Sequence, residues 1–361
     1  MNDRVEGAGP AGPPGTDSAG RSDRADNVVP FARPERTARG DRELRSALRG
    51  LRREIDQRFL DRTERGRGDS ARTAPAAAEG TFDWIQLFDE LRHRLGNTGI
   101  DERSGEVDEF GLDVLTLVRS QALLDFLVDR YWRVDLAGAE MLPEEGPVLF
   151  VANHSGLLPW DGLVFAHRLL RERPRWPRTR FLVADWLVTL PFAQPLLARL
   201  GGVRACRENT DRLLRRGRPV LAFPEGEKGA AKDFRQRYQL QRFGRGGAVK
   251  AALECGVPLV PVGIVGAEEA HPILYKSRLA GRATGLPFVP VTPTFPALGP
   301  FGLLPLPAKW SIEIGEPLDL SGVDPSAAQD ELYVSRMNEQ LRANIRELLA
   351  RGLQRRSSAW T

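Results

Sequence analysis

VLFVANHSGLLPWD (residues 148–161) and PVLAFPEGEKG (residues 219–229) decide how this chain is read. Each begins with a short, β-branched, apolar run, the pattern of a strand buried on both faces. Each then breaks into polar residues and glycine. The first break offers Asn153 and His154, with Asp161 a few residues on. The second offers Glu225, Gly226 and Lys228 in a Pro-Glu-Gly turn. In open α/β sheets ligands collect outside the carboxyl ends of the strands, which is where both groups fall.

Working outward, strand and helix patterns alternate. Strands are expected at 132–136, 148–152, 180–184, 219–223, 259–265 and 309–314. Helices are expected at 161–171, 185–199, 208–216, 246–255 and 327–353, with Gly256 as a C-terminal stop. This order predicts a mixed α/β domain, a central sheet flanked by helices, over 132–325. A C-terminal helix over 326–361 packs on it. Upstream, Phe82, Trp84, Ile85, Phe88 and Leu91 recur at helical spacing, as do Phe110, Val114, Leu117, Leu124 and Leu127. They predict an N-terminal helical hairpin over 81–131. The proline-rich stretch 284–307 reads as a long irregular loop.

Composition separates the N-terminus from the rest. Residues 1–80 are rich in Gly, Pro, Ala, Arg and Asp and poor in large apolar side chains. Such a stretch buries too little surface to offset its ordering entropy, so it is expected to be largely disordered. Leu44, Leu48, Leu51, Ile55 and Leu60 among arginines predict one helix there, over 40–62. No apolar core follows the start, so no secretory signal is expected. Cys206 and Cys255 form neither a disulfide framework nor a metal pattern. No apolar run reaches the ~18–20 residues a bilayer span requires. The chain carries a net charge of +4. A basic surface suits an anionic partner, but nucleic acid is not expected, because no aromatic-plus-basic recognition motif is present.

The residue types imply a chemistry. An imidazole can take a proton from a hydroxyl near neutral pH. A carboxylate on its other nitrogen fixes the tautomer and stabilises the imidazolium. Arg207 opens a helix after Gly201-Gly202, where free backbone N–H groups favour an anion. Ser155 lacks the Gly-x-Ser-x-Gly elbow of a serine nucleophile. For an isolated His and Asp, helix capping is the competing reading. Arg207 has its own ordinary alternative, an ion pair with Glu208 or Glu225.

Taken in order, NHSGLLPWD (153–161), GGVRACR (201–207), FPEG (223–226) and VPLVPV (257–262) resemble the four motifs of the PlsC-like glycerolipid acyltransferase family, also called the lysophospholipid acyltransferase superfamily. The resemblance covers about 130–320. It implies transfer of an acyl group from a thioester, acyl-CoA or acyl carrier protein, to a glycerolipid hydroxyl, as in 1-acylglycerol-3-phosphate acylation, with no metal or other cofactor. By that resemblance His154 is the base, Asp161 its partner, and Asn153, Arg207, Glu225, Gly226 and Lys228 line the substrate site. The lipid product implies a cytoplasmic protein in peripheral contact with the anionic inner face of the cell membrane. The segments 186–200, 284–307 and 40–62 are the candidates for that contact.

Two departures from the family pattern matter. Six residues separate His154 from Asp161 where the family has four, and a bulge at Gly156 and Pro159 is expected to absorb the excess. Lys228 stands where the family has arginine. Lysine keeps the charge but loses the bidentate fork, which opens the way to a neutral acceptor such as a mono- or diacylglycerol. The competing functions are a lipid thioesterase or esterase using His154 with water, and a non-catalytic membrane-binding protein.

Overall fold

A computed structural model describes residues 107–358, apart from Leu157, residues 189–192, Gly285, Ser321 and Ser357. The expected helices at 40–62 and 82–97, and the state of residues 1–80, lie outside the described residues.

Asp113 caps the first helix, α1 (Val114–Phe126), accepting hydrogen bonds from the backbone N–H groups of Leu115 and Thr116. A π-helical turn, Leu127–Tyr131, follows. The chain then enters the sheet through β1 (Asp135–Ala137) and β2 (Leu149–Ala152). Next come α2 (Trp160–Glu172), β3 (Arg180–Val183), α3 (Asp185–Val188) and α4 (Ala193–Leu200). They lead to β4 (Gly202–Arg204), α5 (Arg207–Arg215), β5 (Val220–Ala222) and the one-turn α6 (Glu227–Ala230). After α7 (Gly247–Cys255), β6 (Leu259–Val265) and α8 (Ala267–Ala270), the chain makes an excursion from the main sheet. The excursion contains β7 (Tyr275–Ser277), α9 (Arg278–Thr284) and β8 (Val289–Val291). The last elements are β9 (Ser311–Ile314) and α10 (Glu331–Arg355).

The main sheet has seven strands in the order β1-β9-β6-β2-β5-β3-β4. Every neighbouring pair is parallel except β6 with β9. β2 sits at the centre between β5 and β6, which explains its four fully buried residues. Its side chains alternate between two cores, as strand geometry demands. Phe150 and Ala152 face a core shared with α1 and α2. Leu149 and Val151 face one shared with α5, α7 and α10. Helices therefore cover both faces, the arrangement that a largely parallel sheet requires.

Several boundaries and elements differ from the sequence reading, among them the first strand, which is Asp135–Ala137 rather than 132–136. Of the expected helix 185–199, Asp185–Val188 and Ala193–Leu200 are helical, and residues 189–192 lie outside the described residues. β4 was not anticipated, because Gly202-Val-Arg204 is too short to carry a period. The proline-rich stretch is not wholly irregular: β8 pairs antiparallel with β7 through Val289–Val291, and a 3-10 turn spans Gly299–Leu303. The terminal helix starts at Glu331 rather than 327, because Asp330 caps it through Leu332 and Tyr333.

Candidate active site

β2 delivers Asn153 and His154 to the carboxyl edge of the sheet. Asn153 is fully buried, and its amide makes two hydrogen bonds to Ile264 of β6, donating to the carbonyl at 2.8 Å and accepting from the N–H at 2.7 Å. It thus continues the β2–β6 pairing with its side chain, one residue past the last strand position. That corrects the expectation that Asn153 touches substrate: both of its polar atoms are consumed.

His154 follows on a loop that turns at Gly156, whose φ of 79° is a left-handed conformation that favours glycine. This turn takes up the long spacing and returns the chain to α2. There Asp161 stands in the first turn, fully buried, where the helix dipole favours a carboxylate. Asp161 Oδ2 lies 2.7 Å from His154 Nδ1 and also accepts from the Ser155 N–H at 3.2 Å. Asp161 Oδ1 accepts from the Gly162 N–H at 2.8 Å. A carboxylate held this firmly orients the imidazole and sets its tautomer. The face of the ring stacks on Phe223 with centroids 4.4 Å apart. Nε2 has no hydrogen-bond partner among the described residues, and His154 lines a cavity.

Glu225 does something other than bind a ligand. Its Oε1 accepts from the His154 backbone N–H at 2.8 Å, and its Oε2 accepts from the Gln241 N–H at 2.6 Å. Lys232 Nζ stands 3.4 Å from the same carboxylate and 2.6 Å from Glu268 Oε1. The Glu225 side chain has no solvent exposure. The carboxylate faces inward and pins the base's backbone. Gly229 makes this possible, since a Cβ there would meet the Glu225 Cβ at 2.6 Å and the His154 Cβ at 3.1 Å. Glu268 shares Lys232, and burial pushes its carboxyl above the ordinary range, opposed by that lysine.

Lys228 is exposed and lies outside the cavity lining. The one-turn α6 carries it away while it turns Gly229 and Ala230 inward. Arg207 and Gly226 do line the cavity. Arg207 is held by Glu254 at 2.5 Å, neither Glu208 nor Glu225 being its partner. Sequence reasoning missed Arg245 and Lys250, which line the same cavity. Arg245 has no partner among the described residues, and Lys250 is 3.5 Å from Glu331. The Gly-Arg-Gly-Gly run 244–247, placed just before α7, was the available signal.

The cavity has a volume of about 510 Å³. Leu182, Val183, Trp186 and Leu187 contribute apolar side chains to its lining, and Arg207, Arg245 and Lys250 contribute basic ones. An apolar chain and an anionic group fit such a lining together. Among the described residues no group of three or more His, Cys, Asp or Glu side chains is gathered as for a metal ion.

Two other histidines are expected to make stability pH-dependent. Burial pushes the imidazoles of His167 and His271 below their ordinary range, opposed in His167 by its hydrogen bond to Asp125 at 2.9 Å. The folded state prefers them neutral, so the unfolded state binds more protons as pH falls. The stability they contribute is complete above about pH 6.5 and is lost as pH falls through the depressed folded values. The thermal midpoint is expected to fall between pH 7.5 and 5.5, and to fall less in His167→Gln. An equal fall in the variant would remove His167 from this account.

Comparison with known proteins bears on the family. A family profile described as Acyltransferase matches residues 133–265. An uncharacterised protein of Mycobacterium tuberculosis is 42% identical over 248 residues, which is 68% of this chain and 69% of its own length. A cattle protein described as a DGAT1/2-independent enzyme synthesizing storage lipids is 26% identical over 55% of each chain. The crystal structure of a 1-acyl-sn-glycerophosphate acyltransferase, PlsC, from Thermotoga maritima aligns over 76% of this chain and 98% of its own, at 17% identity and a TM-score of 0.41. With the motifs in order and His154 and Asp161 joined at the sheet edge, this chain belongs to the PlsC-like acyltransferase family.

Proposed function

We propose that this chain moves a fatty acyl group from a thioester, acyl-CoA or acyl carrier protein, to the hydroxyl of a glycerolipid, with His154 as general base. The observation that carries the reading is the His154–Asp161 pair opening onto a cavity lined by both apolar and basic side chains. His154 Nε2 takes the acceptor's hydroxyl proton as that oxygen attacks the thioester carbonyl. The tetrahedral oxyanion collapses, the C–S bond breaks, and the imidazolium returns its proton to the departing thiolate. The apolar lining residues suit the acyl chain. Arg207, Arg245 and Lys250 suit phosphates of the donor. With Glu225 turned inward and Lys228 outside the cavity, a neutral lipid hydroxyl, as in a mono- or diacylglycerol, is the favoured acceptor. The storage-lipid description of the cattle relative is in keeping with that choice. No bound cofactor enters this chemistry. The protein is assigned to the cytoplasmic face of the membrane, as a peripheral protein, because its acceptor resides there.

The test is thiol release from long-chain acyl-CoA, and separately from acyl carrier protein, with and without a panel of acceptors. The panel contains monoacylglycerol, diacylglycerol and lysophosphatidic acid. Release that requires a neutral acceptor is expected. Release at the same rate without any acceptor would make the enzyme a thioesterase. A requirement for lysophosphatidic acid would overturn the neutral acceptor alone.

A further inference from the structure

The excursion between α8 and β9 is built unlike the rest of the molecule. From His271 to Ile312 the sequence contains no Asp or Glu, although the whole chain holds 48 of them in 361 residues. The same stretch contains Lys276, Arg278, Arg282 and Lys309. It also exposes Leu274, Tyr275, Leu279, Leu298 and Phe301, five of the ten exposed large hydrophobics among the described residues. Leu279 is 80% exposed and Phe301 59%. Scattered apolar residues need no explanation, but a concentration on one short segment does.

This segment is ordered by its own bonds. Leu274 N–H donates to the Val291 carbonyl at 2.8 Å, continuing the β7–β8 pairing. Thr294 Oγ1 donates to the Gly302 carbonyl at 2.8 Å, which ties the 3-10 turn to the chain after β8. Ile273 and Phe288 are buried. Its root is pinned as well: the Tyr131 hydroxyl donates to the Pro305 carbonyl at 2.6 Å, and the Leu306 N–H to the Ala270 carbonyl at 2.7 Å. The exposed leucines and Phe301 are therefore held out in water by a folded element.

We infer that the excursion 271–308 is the surface by which this protein docks on an anionic lipid bilayer, with Leu274, Tyr275, Leu279, Leu298 and Phe301 entering the interface. Charge complementarity selects this occupant. Arg278 and Arg282 are exposed on α9, flank Leu279 in sequence, and have no ionic partner among the described residues. Lys276 is less available, being paired with Asp233 at 3.1 Å. Exposed apolar side chains on a segment with two unpaired arginines and no acid of its own bind anionic headgroups through both terms at once. The location also serves the proposed reaction, on which the choice of occupant rests. At the root of the excursion His271 lies beside Gly156 of the loop that carries His154, and its Nε2 donates to the Leu303 carbonyl at 3.0 Å. A bilayer engaged here borders the active-site loop. Among the described residues no helix is long and apolar enough to cross a membrane.

The experiment is co-sedimentation of the full chain with phosphatidylglycerol–phosphatidylcholine vesicles and with pure phosphatidylcholine vesicles. Wild type, Leu279→Asp with Phe301→Asp, and Arg278→Glu with Arg282→Glu are compared. Both double variants are expected to lose binding to anionic vesicles by roughly tenfold or more. These residues are exposed, so an unchanged thermal midpoint and circular dichroism spectrum serve as the folding control. Thiol release is measured in parallel, with the acceptor in detergent and in vesicles. The variants should match wild type in detergent and fall behind it on vesicles. Equal vesicle binding by wild type and variants, or no binding by wild type, overturns the docking surface. Variants that bind vesicles normally but lose self-association in light scattering also overturn it, in favour of a second copy of the chain. If thiol release fails throughout while vesicle binding depends on these residues, the docking surface stands and the acyl-transfer reading falls.

Discussion

Replacing His154 by alanine is expected to lower acyl transfer by about 10³–10⁴-fold with little change in acceptor KM. General-base catalysis contributes on that order, and positioning by the cavity survives the change. Asp161→Asn is expected to cost a comparable factor. The asparagine carbonyl can still accept from a backbone N–H. It no longer offers a negative charge to the imidazolium that forms at His154, whose Nδ1 lies 2.7 Å from the native carboxylate. Because the two residues act as a unit, the double variant should be scarcely slower than either single one. Initial rates of thiol release in the presence of acceptor measure all three. Multiplicative losses in the double variant would mean that Asp161 does not work through His154. An active His154→Ala protein would remove the base altogether.

Glu225→Ala should be the most damaging substitution for stability, at about 3–5 kcal/mol, the usual cost of breaking a buried charge pair by removing one partner. The change leaves the His154 and Gln241 backbone N–H groups without their acceptor, and it leaves Lys232 to Glu268 alone. Activity should fall too, because the base's own backbone loses its anchor. Glu225→Gln, which keeps one acceptor oxygen and the shape, should cost much less. Urea denaturation of the three proteins decides the matter. Equal midpoints for wild type and Glu225→Ala would show that the carboxylate is not an anchor, and the ligand-binding role given to it by family resemblance would regain its ground.

The difference between those two roles shows where the sequence stops being informative. Glu225, Asn153 and Lys228 were all found by position in a motif, and all three were assigned to a ligand. Asn153 is instead spent on Ile264, a residue 111 positions away. Glu225 is spent on His154, 71 positions away, and on Lys232. No local pattern announces such partners, because hydrogen bonds form between whatever groups the strand order brings together. Arg245 and Lys250 were missed for the same reason, since only the approach of α7 to the edge of the sheet makes them neighbours of His154 in one cavity. The long His154–Asp161 spacing is the converse case. It departs from the family pattern, yet a single left-handed glycine, Gly156, lets the loop close.

By itself, then, the sequence determined the alternation of strand and helix, the central place of 148–152 and 219–223, and the identity of the imidazole and the motif carboxylates. These follow from local rules: side-chain period, turn chemistry and the reactivity of single groups. The tertiary structure alone decided which carboxylate faces the imidazole ring and which faces its backbone. It also decided which cations reach the cavity, and how a proline-rich stretch becomes a folded excursion that exposes leucine and phenylalanine among arginines. Those outcomes depend on desolvation and on partners far apart in the chain, and they exist only once the β2–β5–β6 register has been set.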